Sequence, residues 1–205
     1  MHSSLAVGIA LLSLVGAAAP TEDLREELAR SARNTKKLIR QDSVNFCLSL
    51  AQLIVSCEVA NQEEITKWND FIEQWTPRVA TLPTDDNGIK QFSSQVRNLL
   101  PKGNGSQQVT EQLNLYTKGA YDNMNASFMK GNAQRYTTFE SEAREIIRRS
   151  RAATGRAEYF TVYFFNRFAN AVQKSREFHF HNFFQYLTLT GEDYHDWLAM
   201  QIMIM

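Results

Sequence analysis

Apolar residues recur at helical spacing along most of this chain, and that periodicity limits the fold more than any other feature of the sequence. In the segment 43–60, which contains no Gly or Pro, Cys47, Leu50, Ile54 and Cys57 follow one another at i, i+3, i+7 and i+10. Similar stripes occupy the rest of the chain between recognisable helix breakers. The pattern predicts an all-α fold, a single-domain irregular or up-down bundle of about seven helices.

Breakers and capping signals divide the chain into predicted helices. Asp42-Ser43 resembles a cap for a new helix, Asn61 with Glu64 forms a capping box, and Pro77 should kink or end the helix that the box opens. Gly131 and Gly155 are expected to end two later helices. The expected helical segments are 20–40, 43–60, 61–79, 89–100, 109–131, 136–155, 156–175 and 191–203.

The segment from Phe178 to Thr190 carries a conflicting signal. Phe178-His179-Phe180-His181 and Leu187-Thr188-Leu189-Thr190 both alternate with a period of two, which is typical of a short strand pair. A helix is favoured because no second run of β-branched residues is present to pair with such a strand.

The N-terminal residues predict the compartment. Ala6–Val15 is an uncharged apolar run followed by small residues, which is typical of a signal peptide, and Pro20 favours cleavage after Ala18. We therefore expect a signal peptide over 1–18, a helical domain over 19–205 and a secreted, extracellular protein; an uncleaved anchor is the alternative. Asn104 and Asn125 begin N-glycosylation sequons. No second apolar segment approaches the length of a membrane span.

The charge balance bears on the partners that can be expected. Lys and Arg total 22, and Asp and Glu also total 22, so no overall positive charge attracts nucleic acid, and no nucleic-acid partner is expected. The chain is 43% hydrophobic and contains 13 Phe, a composition that forms a core and argues against disorder.

Two cysteines in a secreted chain suggest a disulfide, but their spacing opposes one. Ten residues of helix separate the Cα atoms of Cys47 and Cys57 by roughly 15 Å, whereas a disulfide requires roughly 7 Å or less. Buried thiols or a bond to another chain are favoured, and a helix break that would allow a bridge is the alternative.

No catalytic motif is present, so we expect no enzyme and no cofactor. The sequence contains neither a Gly-x-Ser-x-Gly elbow nor a phosphate-binding glycine loop. His179, His181 and His195 lack the spacing of a zinc site on a helix, and no metal is expected. A basic stretch, Arg144 to Arg156, could bind heparin-like polymers, but Glu residues four positions before Arg144 and Arg149 favour ion pairs on a solvated helix.

The aromatic segment 159–186 has two interpretations. Phe160, Phe164 and Phe168 form a stripe that Tyr159, Tyr163 and Phe165 widen, which is typical of a central core helix. The alternative is a ligand cavity lined by aromatic side chains with a few polar groups. The candidate ligand-binding residues of that cavity are Tyr159, Tyr163, Phe164, Asn166, Phe168 and Asn170.

Two functional hypotheses remain at this point. The first is a non-catalytic interaction protein that engages an extracellular protein or receptor, with a homodimer as one form of such binding. The second is an extracellular carrier of a small apolar ligand of the fatty-acid or isoprenoid class. A carrier requires an enclosed apolar cavity of roughly 300 Å³ or more, whereas an interaction protein requires a filled core and an exposed apolar patch. The apolar C-terminus, residues 197–205, suits either a binding surface or the protein's own core.

Overall fold

The computed structural model describes residues 24–103, 105–155 and 159–189, and these residues form seven α-helices and no strand. The prediction of an all-α bundle of about seven helices is confirmed. Two short 3₁₀ helices, Thr76–Arg78 and Leu82–Thr84, connect the second and third α-helices. The α-helices are α1 (Leu24–Cys57), α2 (Gln62–Trp75), α3 (Asp86–Leu99), α4 (Ser106–Tyr116), α5 (Ala120–Thr154), α6 (Tyr159–Ala169) and α7 (Gln173–Thr188).

The two longest helices, α1 and α5, pack against each other in antiparallel orientation. Residue numbers fall along α5 as they rise along α1 at each contact between them, which only an antiparallel pair produces. The contacts, in order along α1, are Glu27–Arg149, Ser31–Glu142, Asp42–Arg135 and Phe46–Phe128. The shorter helices pack at the two ends of this pair.

Each end of the α1–α5 pair has its own buried cluster. The aromatic cluster joins the first half of α1 and the second half of α5 to α6 and α7. The tryptophan cluster joins the second half of α1 to α2, α3 and α4. Large side chains of the aromatic cluster are Leu28, Phe139, Ile147, Phe164, Phe165, Phe168, Phe180, Phe183 and Tyr186. Those of the tryptophan cluster are Leu48, Leu50, Ile54, Trp68, Phe71, Trp75, Leu82, Phe92 and Leu113.

The expected break near Asp42-Ser43 is wrong, because α1 continues without interruption through both residues. The Ser43 hydroxyl donates a hydrogen bond to the carbonyl of Ile39, one turn earlier, and therefore does not cap a new helix. Asp42 accepts hydrogen bonds from Arg135 on α5. The Ser43 side chain therefore bonds within α1, and the Asp42 side chain bonds to α5.

The expected helix end at Gly131 is also wrong. Gly131 lies within α5, and the break falls instead at 117–119, where the sequence pattern had seemed continuous. Lys118 and Gly119 adopt left-handed backbone angles, with φ of 51° and 85°. The buried Thr117 hydroxyl donates to the Leu113 carbonyl and accepts from the Tyr121 amide, so it links α4 to α5.

Other local predictions are confirmed. Asn61 and Glu64 form the capping box of α2, and α2 ends just before the 3₁₀ turn that contains Pro77. Residues 173–188 form a helix, as favoured over the strand pair, although the helix before it ends at Ala169 and not near 175.

Several predictions fall outside the described residues. They concern the signal peptide over 1–18, the helix over 191–203, the sequon residue Asn104, His195 and the apolar C-terminus. Within the described part of the chain, no helix combines the length and the apolar character that crossing a bilayer requires.

Candidate functional site

The six candidate ligand-binding residues lie on different faces of α6 and of the turn that follows it. Phe164 and Phe168 are buried in the aromatic cluster, and Tyr163 is half-buried at its edge. Tyr159 is 73% exposed, and Asn166 and Asn170 are exposed as well. The structure therefore does not bring the aromatic and the polar members of the set together around one space.

Aromatic rings pack closely where the sequence allowed a cavity. The ring centroid of Phe168 lies 5.4 Å from that of Phe139 and 5.8 Å from that of Phe180, both within the range of favourable ring contacts. The hydroxyls of Thr161 and Tyr186 lie 2.9 Å apart in the same interior and form a hydrogen bond. This part of the molecule is a packed core with its polar atoms paired.

A large groove opens elsewhere, between α1, the middle of α5 and the first turns of α7. Its volume is about 950 Å³. We call it the α1–α5–α7 groove. Its lining residues are Ile39, Ser43, Phe128, Met129, Asn132, Ala133, Tyr136, Thr137, Gln173, Lys174, Arg176 and Glu177.

One side of the α1–α5–α7 groove is apolar. Ile39 and Phe128 are half-buried there, and Met129 is 50% exposed. Burial, together with the charge of Glu177, raises the pKa of Tyr136 to about 12, so its phenol is neutral at physiological pH. Methionine adapts its shape to different partners, which suits a binding surface.

The groove lining also contains polar atoms whose hydrogen-bonding capacity is incompletely used. Arg176 contacts the Glu140 carboxylate through one guanidinium nitrogen and the Thr137 hydroxyl, at 3.4 Å, through another. Its Nε is buried without a hydrogen-bond partner, as is Oδ1 of Asn132. A donor and an acceptor that each lack a partner therefore occur among the residues that line one groove, and leaving such atoms unpaired is costly.

A smaller groove of about 520 Å³ lies along another face of the α1–α5 pair, and Phe128 lines both grooves. The Phe46 and Phe128 rings stack there at 4.5 Å, and Arg135 forms two hydrogen bonds to Asp42, at 2.9 and 3.3 Å. Because its charged pair is already satisfied, this groove is a weaker candidate than the first.

His179 and His181 lie on α7, whereas His195 lies outside the described residues. His179 is half-buried, and burial followed by the charge of Arg167 lowers its pKa, whereas His181 is exposed. Two residues apart on a helix, these side chains point in different directions. Among the described residues, no group of three or more His, Cys, Asp or Glu side chains is arranged to hold a metal ion.

Carboxylates neutralise much of the basic stretch on α5. Arg144 pairs with Glu140 at 2.8 Å, as the i,i+4 spacing predicted. The expected pair between Glu145 and Arg149 is wrong, because Glu145 contacts Arg148 and Arg149 reaches Glu27 on α1. Arg156 lies outside the described residues.

Both cysteines lie on the uninterrupted α1 and are free. The continuous helix confirms the geometric basis of the prediction that they do not bond to each other. Burial raises the pKa of the Cys47 thiol to about 11. Cys57 is the last residue of the helix and is half-buried. The sequon residue Asn125 is half-buried on α5.

Sequence reasoning did not find the α1–α5–α7 groove. Phe128 and Tyr136 were assigned to two different helices separated at Gly131, so their common surface on α5 could not be recognised. The polar residues of the groove, Asn132 and Arg176, carry no motif. A continuous helix through Gly131 was the one signal that could have placed Phe128, Asn132 and Tyr136 on one face, at i, i+4 and i+8.

Comparison with models of protein families, with curated proteins and with solved structures finds no match.

Proposed function

We propose that this chain is a secreted, non-catalytic binding protein that engages an extracellular protein through the α1–α5–α7 groove. The observation that carries the proposal is an open groove whose lining combines exposed apolar surface with exposed polar side chains. Met129 and Phe128 provide the apolar contact, and Gln173 and Glu177 provide exposed polar groups. Secretion rests on the apolar run of the first residues and on the sequons.

A peptide segment has the chemistry that such a groove would recognise. A backbone N–H of such a segment can donate to the exposed Glu177 carboxylate, and a backbone C=O can accept a hydrogen bond from the exposed Gln173 amide. An apolar side chain of the same segment can then cover Met129 and Phe128.

A second candidate function is an extracellular carrier of a small apolar ligand of the fatty-acid or isoprenoid class. The groove volume of about 950 Å³ favours it, because pockets for small molecules fall in the same size range. Two features favour the protein partner instead. Exposed Met129 leaves the groove open to solvent, and the aromatic cluster, where a ligand cavity was the alternative to a core, is packed.

A charge placed on the apolar side of the groove tests the protein-binding proposal. Met129→Glu should weaken binding to a partner that covers Met129 at least tenfold, because the carboxylate would lose its hydration where the wild type buries an apolar side chain. Leu115→Glu is the matched control, since Leu115 is 58% exposed on α4 and does not line the groove. Both variants should fold, because both side chains are largely exposed.

The measurement is capture of protein from the extracellular fluid of the source by the immobilised chain, followed by titration of the captured species. A partner that binds wild type and Leu115→Glu equally, and Met129→Glu at least tenfold more weakly, supports the proposal. Equal binding to all three chains contradicts it. A stoichiometric apolar small molecule, detected by native mass spectrometry and lost in Met129→Glu, would support the carrier instead.

A further inference from the structure

A second, chemically different depression lies between α1, the Leu82–Thr84 turn and α7. Its volume is about 360 Å³, and none of its lining residues lines the α1–α5–α7 groove. Four of those residues are cations on one face of α1, namely Arg33, Lys36, Lys37 and Arg40. Their spacing of i, i+3, i+4 and i+7 places them together on two turns of the helix. We call this depression the basic cleft.

Only one carboxylate, that of Asp86, is among the residues that line the basic cleft. Arg40 holds it at 2.6 Å and lowers its pKa, and Lys36 and Lys90 add their charges. Three cations therefore already act on this single carboxylate. Arg33 pairs with Glu26, which does not line the cleft.

The lysines of the cleft have less compensation than the arginines. The Lys36 ammonium lies 4.3 Å from the centre of the Phe184 ring, and burial, followed by repulsion from Arg40, lowers its pKa. Lys37 is exposed and forms no ion pair within the described part of the chain. An anion in the cleft would reduce the repulsion among these cations.

The basic stretch on α5 provides an internal comparison. Arg144, Arg148 and Arg149 contact three different carboxylates, those of Glu140, Glu145 and Glu27, although Glu140 also contacts Arg176. In the basic cleft, four cations line a space with one carboxylate. The excess positive charge lies on α1, where the sequence pattern had not indicated it.

We infer that the basic cleft binds a sulfate or phosphate group. Arg33 contacts Glu26 through one guanidinium nitrogen, so its remaining N–H groups can hydrogen-bond such an oxyanion, and the lysine ammonium groups add point charges. Asn34, also in the lining, carries an amide that can donate a further hydrogen bond. The inference does not depend on the peptide-binding groove, with which the cleft shares no residue.

Titration with inorganic sulfate and inorganic phosphate tests the inference directly. The wild-type full chain should bind at least one of these ions, seen as saturable chemical-shift changes of α1 amides, and binding should weaken as sodium chloride rises. Lys37→Glu should weaken binding by about tenfold, since one contact changes from attractive to repulsive. Lys37→Gln should fall between the two.

Lys130→Glu is the matched control, because Lys130 is an exposed lysine on α5 outside the cleft. If Lys37→Glu and Lys130→Glu weakened binding equally, overall charge would explain the effect and the inference would be overturned. It would also be overturned if neither sulfate nor phosphate bound in a saturable way. A heparin-derived oligosaccharide and vesicles containing a phosphoinositide identify the source of the group. Selective loss of binding to either probe in Lys37→Glu supports the site, and unchanged binding to both overturns it.

Discussion

Phe164 is 3% exposed, and its ring centroid lies 5.0 Å from that of Tyr186 in the aromatic cluster. Phe164→Ala should lower the free energy of unfolding by about 3–5 kcal/mol, because the substitution removes buried apolar surface and leaves a cavity among rigid rings. Denaturant unfolding followed by circular dichroism measures the loss.

Tyr159→Ala is the control for that experiment, since Tyr159 lies on the same helix but is 73% exposed. It should cost less than about 1 kcal/mol. If Phe164→Ala cost no more than Tyr159→Ala, the ring of Phe164 would not be packed, and the aromatic cluster would contain the cavity that a carrier requires.

The two thiols should differ in reactivity. A pKa of about 11 for Cys47, against 9.0 for an ordinary thiol, leaves it roughly 100-fold less thiolate at a given pH below 9. In native protein at pH 8, iodoacetamide should therefore label Cys57 first and Cys47 much more slowly, whereas both should react at similar rates in denaturant.

Peptide mass spectrometry after timed labelling measures the labelled fraction of each cysteine separately. Similar native rates would show that Cys47 is exposed. Labelling of neither thiol until a reductant is added would reveal disulfides. If the unreduced protein then has the mass of a single chain, the bond joins Cys47 to Cys57, and α1 would have to break between them.

At the level of single residues, the sequence predicts which side chains are buried better than it predicts which polar side chains pair with each other. The apolar stripe identified Phe164 and Phe168 as core residues because helical periodicity follows directly from the sequence. It could not identify the contact of Arg176 with Glu140, or that of Arg135 with Asp42, since these partners are 36 and 93 residues apart.

At the level of the helices, a substitution at Gly131 tests whether α5 is continuous. A Cβ added at this position would meet no heavy atom within 4 Å apart from α5's own nearby backbone and the two chain neighbours. Gly131→Ala should raise the free energy of unfolding by about 1 kcal/mol, because alanine loses less backbone freedom on entering a helix. Thermal and denaturant unfolding both measure this gain.

Gly119→Ala is the matched control. Its surroundings are equally open, but its φ of 85° is strained for alanine, so this variant should lose stability. A destabilised Gly131→Ala would mean that the helix bends or breaks at Gly131, as the sequence alone suggested.

The helix boundaries that the sequence misplaced share one physical cause. Local signals at Asp42-Ser43 and Gly131 favour a break, and the packing of α1 on α5 overrides them. A single glycine inside a helix costs only about 1 kcal/mol. The Phe46–Phe128 stack and the Asp42–Arg135 pair, which flank Gly131 in the structure, offset that cost. Such contacts cannot be recognised before the antiparallel pairing of the two helices is known.

For the whole molecule, the arrangement of the core determines how it should unfold. The aromatic cluster and the tryptophan cluster contain different residues, yet α1 contributes buried side chains to both. The helix α5 contributes buried side chains to the aromatic cluster, and its half-buried Tyr121 and Met124 pack against the tryptophan cluster. Unfolding one cluster would therefore expose one half of each long helix. Because helices are stabilised mainly by packing of their apolar face, we expect the two ends to lose structure together.

This coupling can be measured, because Trp68 and Trp75 are buried in the tryptophan cluster and none of the described aromatic-cluster residues is a tryptophan. In a Trp197→Phe background, which removes the one tryptophan outside the described residues, fluorescence reports only the tryptophan end. Phe164→Ala perturbs only the aromatic end. If α1 and α5 couple the ends, this substitution should lower the denaturant midpoint of tryptophan fluorescence as much as that of helical circular dichroism. An unchanged fluorescence midpoint beside a lowered circular-dichroism midpoint would show that the two ends unfold independently and that the long helices break between them.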